Sequence, residues 1–371
     1  MNNKTLIPIS LNELTTDMIF PCDIYGGVDG RVLILKKGNT LTEPRIKQLH
    51  SHHGNHDGLF VTEDNVQVIT SFLRGYDMGE DKEIYYSPQN YKRQKLEKET
   101  GFSEIKEVTQ DLFKPDNDTV IIQKDKTLDI SAEISHRLEV TRPDLIVSLV
   151  NMLVPVDEYL QSHIVNVSTL NGIMGKWLGL PRRDVILLVL VGLLHDCGKD
   201  LIPPEVLNAP RQVSRIEFEV IKMHTIYGYN LLEGIPEIIR NAVRSHHEKL
   251  SGRGYPDMLA QNEVSMLARI TAVSDVYDAM VSRRVYKNPQ SPFHVMARLK
   301  ELTATDLDPF VVNTFTTNMP KELIGKSALM SNGKTGIVED VDSDDLEFPY
   351  VRIDGELVKT DEQLFCQAMG I

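Results

Sequence analysis

The spacing of hydrophobic positions changes character along this chain. From Ile7 to about Thr62 the apolar residues come in short runs broken by turn formers, Gly26, Gly27, Asp29 and Gly30, after which Arg31 to Leu35 reads as a strand. Thr42 to His50 reads as a helix with Pro44 near its start, where a missing amide proton costs least. Residues 1–75 are therefore expected to form a small β-rich module. Residues 76–117 are dense in charge and have few regular apolar positions, which predicts a linker or an exposed helix. Helical spacing takes over from about residue 118 to residue 319, with Ser or Pro at segment starts and Gly at segment ends. Within that stretch Ser214 and Glu217 form a capping-box pattern ahead of Phe218, Val220, Ile221 and His224. The period shortens again after Ile324, with strands expected at Gly336 to Val341 and Tyr350 to Ile353 around the acidic turn Asp342 to Glu347. Residues 320–371 thus read as a second small β-module, and the chain as a mainly α protein with β-rich modules at both termini.

The helical region also carries an unusual distribution of histidine and aspartate. His195 and Asp196 stand together at the end of the apolar helix Val185 to Leu194, which Gly198 is expected to stop. An aspartate that ends so apolar a helix is costly to bury unless it is paired or holds a metal. His163 lies in the preceding helix, Val156 to Leu178; His224 lies in the capped helix; His246 and His247 are adjacent; and Asp275 lies in the helix Val264 to Val281. Any one of these alone is more simply a hydrogen-bonded core or surface residue. Together they form a mixed imidazole and carboxylate set without thiolate, which suits iron, manganese, zinc or nickel and does not choose among them.

Composition narrows the classes. At 371 residues the chain exceeds an average domain, and 41% hydrophobic with 25% charged residues is ordinary for a folded globular protein. Forty Lys and Arg against 53 Asp and Glu leave a net charge of −13, which argues against binding nucleic acid polymers and permits a small anionic ligand held by a few local cations. The three cysteines, Cys22, Cys197 and Cys366, are far apart with no CxxC spacing, so neither a disulfide framework nor a thiolate zinc site is expected. The N-terminal residues hold no apolar run of signal-peptide length, and Val185 to Leu194 is about half a membrane span, so a cytoplasmic protein with no membrane segment is expected.

The strings HDCGK (His195 to Lys199), HTIYG (His224 to Gly228), HHEKLSGRGYP (His246 to Pro256) and ARITAVSDVYDAMVSRRVYK (Ala268 to Lys287) resemble, in order and spacing, the motifs of HD-GYP domains, a branch of the HD phosphohydrolase superfamily. The resemblance implies an HD-type helical bundle over residues 118–319 and a phosphodiesterase acting on a cyclic dinucleotide, with cyclic di-GMP favoured and hybrid cyclic GMP-AMP as the alternative. Carried position by position, it implies a centre of two divalent metal ions, iron or manganese favoured, ligated by His163, His195, Asp196, His224, His246, His247 and Asp275, with Asp196 bridging. Lys199, Arg284 and Lys287 match positions that hold substrate phosphates, Tyr255 belongs to the substrate-facing loop, and Asp196, Lys199 and Asp278 are the expected catalytic group. Arg283 stands where the family is often acidic and has no assigned role.

Members with a third metal carry Glu four residues before the first ligand histidine, where this chain has Tyr159; Glu158 points elsewhere on the helix. Two metals, and a linear dinucleotide as the main product, follow. The loop Gly252 to Pro256 reads equally as a docking surface for diguanylate cyclase (GGDEF) domains and as an ordinary turn. A competing reading is a catalytically silent receptor for the nucleotide; complete ligands favour the enzyme. A hydrolase of nucleoside triphosphates or alarmones is disfavoured by the GYP stretch. The histidines His50, His52, His53 and His56 lack nearby carboxylates or cysteines and are expected in a solvated loop.

Overall fold

The structure is a computed structural model, and it describes residues 6–9, 22–26, 32–38, 42, 59–62, 93, 96–110, 112, 115–116, 119–120, 124–152, 159–207, 209, 211–282 and 290–369. It comprises two compact units, Met1–Lys95 and Leu96–Ile371. In the first, β1 (Leu6–Ile9), β2 (Ile24–Gly26), β3 (Val32–Leu35) and β4 (Leu59–Thr62) form an antiparallel sheet in the order β1-β4-β2-β3. Ile24, Leu35, Leu59 and Val61 are buried in it. The helix expected over Thr42 to His50 and the histidines of the same loop lie outside the described residues.

The second unit begins earlier than the charge pattern implies. Within the stretch read as a linker, α1 (Phe102–Gln110) forms, and Phe102, Ile105 and Leu112 enter the main hydrophobic core. Phe102 and Ile105 share one face of α1, Glu104 and Glu107 stay exposed, and Lys106 is covered by an ion pair with the buried Glu97 at 3.2 Å. After a two-stranded ladder, β5 (Pro115–Asp116) with β6 (Thr119–Val120), come α2 (Lys124–Val140) and α3 (Pro143–Asn151). The centre is the hairpin of α4 (Tyr159–Trp177) and α5 (Arg182–Leu194). Ser162 to Gly175 of α4 and Leu188 to Leu194 of α5 are buried on every side, as expected of helices enclosed by others. Asn171 pins the bundle from within: its side-chain amide donates to the Leu188 carbonyl on α5 at 3.0 Å and to Thr271 Oγ1 on α10 (Met266–Val281) at 2.8 Å. The three helices that carry His163, His195 and Asp275 are thereby held in one register.

Between α5 and α10 the chain runs through a 3₁₀ turn (Cys197–Leu201), α6 (Pro204–Leu207), α7 (Arg215–Lys222), α8 (His224–Leu231) and α9 (Glu237–Ser245). The capping box expected at Ser214 and Glu217 is present: Glu217 N donates to Ser214 Oγ at 3.3 Å and Ser214 N to the Glu217 carboxylate at 2.7 Å. The helix it caps stops at Lys222, and His224 opens α8 instead of sitting inside the capped helix. The chain closes with α11 (Pro292–Leu302), α12 (Pro309–Leu323) and a five-stranded antiparallel sheet of β7 (Ser327–Met330), β8 (Thr335–Asp340), β9 (Tyr350–Ile353), β10 (Glu356–Lys359) and β11 (Cys366–Met369) in the order β10-β9-β8-β7-β11. α12 extends past residue 320, and Ala328, Met330, Val351 and Cys366 share one hydrophobic core with Phe293 and Phe315 of the helices. The sheet is thus packed into the second unit by burial of its apolar face.

Candidate metal centre

Three of the histidines reach the centre by the same local device. His195 caps the end of α5, His246 caps the end of α9, and His224 follows the last turn of α7. The last carbonyls of a helix have no intrahelical donor. Each histidine uses one: Nδ1 of His195 meets Gly192 O at 2.8 Å, Nδ1 of His224 meets Ile221 O at 2.6 Å, and Nδ1 of His246 meets Val243 O at 2.6 Å. A carbonyl only accepts, so Nδ1 carries the proton and the Nε2 lone pair is left facing inward. All three Nε2 atoms are buried and have no hydrogen-bond partner. Buried nitrogens without partners are expensive, and a cation among them removes the cost.

His163, on α4, is oriented by a carboxylate in place of a carbonyl. Its Nδ1 donates to Asp278 Oδ2 at 2.7 Å, while the amide of Asn166 donates to Asp278 Oδ1 at 2.8 Å. Asp278 is fully buried and both its oxygens are engaged, which makes it a positioning group for His163. Asn166 was not singled out from sequence, although it lies three residues after His163 on the same helix face.

The candidate ligand atoms fall into two groups: Asp196 with His224, His246 and His247, and His163 with His195 and Asp275, each group within 4.8 Å. Asp196 joins the two. Its Oδ2 is 3.2 Å from His195 Nε2 and 3.5 Å from His163 Nε2, and its Oδ1 is 3.6 Å from His224 Nε2. Asp275 Oδ1 lies 3.3 Å from His163 Nε2, and Asp275 Oδ2 lies 3.9 Å from His247 Nδ1. Burial pushes the imidazole of His246 well below its usual range, takes His247 down to about 3, and lowers His224 as well. Burial alone would raise the carboxyls of Asp196 and Asp275, but the surrounding imidazoles, with Lys199 beside Asp196, outweigh it and hold both well below the usual carboxylate range. Imidazoles with inward Nε2 lone pairs around two ionised carboxylates are compatible with divalent metal ions.

Gly198 has a different role from the expected helix stop. α5 has already ended at Leu194, and Gly198 lies in the 3₁₀ turn, where a β-carbon would come within 1.9 Å of the His224 carbonyl oxygen and 2.5 Å of Gly228 N. The bare backbone lets the turn carrying Asp196 press directly against α8, which begins with His224.

Lys199 Nζ, expected to hold a phosphate, is 2.5 Å from Asp196 Oδ2. Tyr255 stands at the rim, its ring 4.8 Å from that of His247, and burial together with Asp275 and Asp196 pushes its hydroxyl up so that it stays protonated. Its loop is folded back by Glu248, a buried carboxylate that accepts from the amides of Asp257 at 2.7 Å and Leu259 at 3.1 Å. Gly254 packs so closely on this segment that a β-carbon would lie 2.4 Å from Glu248 Cα. Glu248 follows the paired histidines directly, and that adjacency was the signal for it in the sequence. Arg283, Arg284 and Lys287 lie outside the described residues, as does the side chain of Tyr159.

Residues 147–311 match the family described as HD domain. Over 228 residues the chain is 32% identical to a cyclic di-GMP phosphodiesterase of Pseudomonas aeruginosa, a match covering 61% of this chain and 54% of that protein. Over 175 residues it is 33% identical to a cyclic di-GMP phosphodiesterase of Thermotoga maritima, with 46% and 48% covered. Over 179 residues it is 26% identical to a 3'3'-cGAMP-specific phosphodiesterase of Vibrio cholerae, with 47% and 34% covered. The chain spans about half the length, or less, of these relatives. In its HD domain, its ordered motifs and these relatives, the chain is similar to HD-GYP proteins.

Proposed function

We propose that this protein hydrolyses a phosphodiester bond of a cyclic dinucleotide, with cyclic di-GMP as the favoured substrate and 3'3'-cGAMP as the alternative. The observation that carries the reading is the convergence of His163, His195, Asp196, His224, His246, His247 and Asp275 on one buried centre in which three imidazole nitrogens lack partners. These residues would hold two divalent ions, iron or manganese favoured. When bound, such a pair supplies Lewis acidity to a phosphoryl oxygen and acidifies water for attack on phosphorus.

The chain's own groups do the rest. Asp196 presents one oxygen to each half of the centre, and Asp278 keeps the His163 lone pair turned inward. Lys199 neutralises charge beside Asp196, and in the same reading Arg284 and Lys287 hold the substrate phosphates. Tyr255, protonated and on the rim, faces the sugar and base of the nucleotide. The loop it belongs to would also dock GGDEF domains, and residues 1–75 would act as an accessory module. Among the described residues no helix is long and apolar enough to cross a membrane; a cytoplasmic setting is part of the proposal.

The test is elemental analysis of anaerobically purified protein alongside product analysis with both cyclic dinucleotides. Two ions per chain and an accumulating linear dinucleotide are expected, because a phenol at Tyr159 is a poor ligand for a third divalent ion. Tyr159→Glu is expected to raise metal content or speed conversion to mononucleotide. Three ions in the wild type, or mononucleotide formed with no linear intermediate, would overturn the stoichiometry; no turnover of either dinucleotide by metal-loaded protein would overturn the function.

A further inference from the structure

Tyr255 accounts for only the inner part of the aromatic rim. Next to it, α7 has eight residues and none of them is buried. A helix this short does not persist in water by itself. It is held by its own end: the capping box at Ser214, and Arg211, whose guanidinium donates two bonds to Glu217 at 2.8 and 2.6 Å. Stabilised in this way, α7 leaves two large apolar side chains in water, Ile216 at 79% and Phe218 at 43% exposure. The Phe218 ring centroid lies 6.3 Å from that of Tyr255, edge to face, and Tyr255 is 4.8 Å from His247 and 6.4 Å from His224. Lys222 Nζ stands 5.1 Å from the centre of the Phe218 ring and 5.5 Å from that of Tyr255. A run of rings therefore leads from the metal centre to the surface, with a cation beside the outer two.

The accessible side of the centre is the same side. His247 retains 25% side-chain exposure, against 2% for His163, 0% for His195 and 1% for His224. A phosphodiester must approach past His247, and the base joined to it through the ribose then falls on the rim beyond Tyr255. We propose that Phe218, flanked by Tyr255 and Lys222, is the stacking platform for a purine base of the substrate. This rests on the function proposed above and adds to it a residue on a helix with no metal ligand of its own. Truncating an aromatic platform costs about 5- to 150-fold in nucleotide binding for each base that it stacks.

Three variants test it on the full chain. In Phe218→Ala, KM for cyclic di-GMP is expected to rise by about 5- to 150-fold, with kcat falling less and metal content unchanged. Ile216→Ala, on the same helix and more exposed, is expected to keep the wild-type KM. In Phe218→Trp, tryptophan emission is expected to be quenched saturably by cyclic di-GMP and, more weakly, by GMP; the sole native tryptophan, Trp177, packs on Phe315 in the core and gives a steady background. An unchanged KM in Phe218→Ala, or no quenching of Phe218→Trp by either nucleotide, overturns the platform. Quenching by GMP in a protein that turns over no cyclic dinucleotide would instead support the platform and overturn the reaction.

Discussion

α5 ends at His195 of the candidate centre and α7 stops two residues before His224, and the two helices are stabilised by opposite means. α5 buries Val185, Leu188, Val189, Leu190, Val191, Leu193 and Leu194 in the centre of the bundle. α7 has no fully buried residue, only half-buried ones such as Val220 and Ile221, and is held at its start by a capping box and an exposed ion pair. The position of His195 is thus set by core packing, which resists displacement because a packed interior has few alternatives. Phe218 and Lys222 ride on an element with no fully buried side chain, so it is expected to open at lower cost than α5. Under the proposed function, rigidity lies where the candidate ligand atoms converge, and compliance where the nucleotide would enter.

Breaking the α5 end should have the largest effect. His195→Ala combined with Asp196→Ala removes ligand atoms from both halves of the centre, and is expected to abolish bound metal and turnover while the far-ultraviolet circular dichroism stays helical. Retained metal with a tenth of wild-type activity would show that the centre lies elsewhere. Asp278→Asn should act less severely and through orientation alone. An amide at this position offers one oxygen where Asp278 now accepts from both His163 and Asn166, so metal affinity is expected to fall about 10- to 100-fold, read by competition with a chelator. A matching loss of thermal stability without a change in affinity would mean that Asp278 merely fills the core.

The smallest effect belongs to α7. Ser214→Ala removes the cap and should cost about 1 kcal/mol of local helix stability. Faster amide exchange confined to residues 215–222 is expected, with little change in the global unfolding midpoint, because no residue of this helix is fully buried in the core. A global shift as large as the local one would erase the contrast between the two helices.

The sequence by itself was enough for the kinds of group at the site and for most helices. Helical periodicity, the Ser214 and Glu217 cap and the order of histidine and aspartate are local patterns, readable without knowing what packs against what. It misjudged the charged stretch before residue 117, where Phe102 and Ile105 are too few to stand out until a core exists to receive them. What only the tertiary structure decided are relations between distant segments. His163 and Asp278 are 115 residues apart, and nothing in either neighbourhood indicates that both oxygens of Asp278 are spent on α4. Gly198 read as a helix stop, yet its place is explained by the His224 carbonyl against which it packs. Phe218 read as one apolar position of a capped helix, and only the fold leaves it uncovered beside Tyr255. The reason is common to all three: local pattern sets which face of an element is apolar, whereas the partners of a buried polar group or an exposed ring are set by where the whole chain comes to rest.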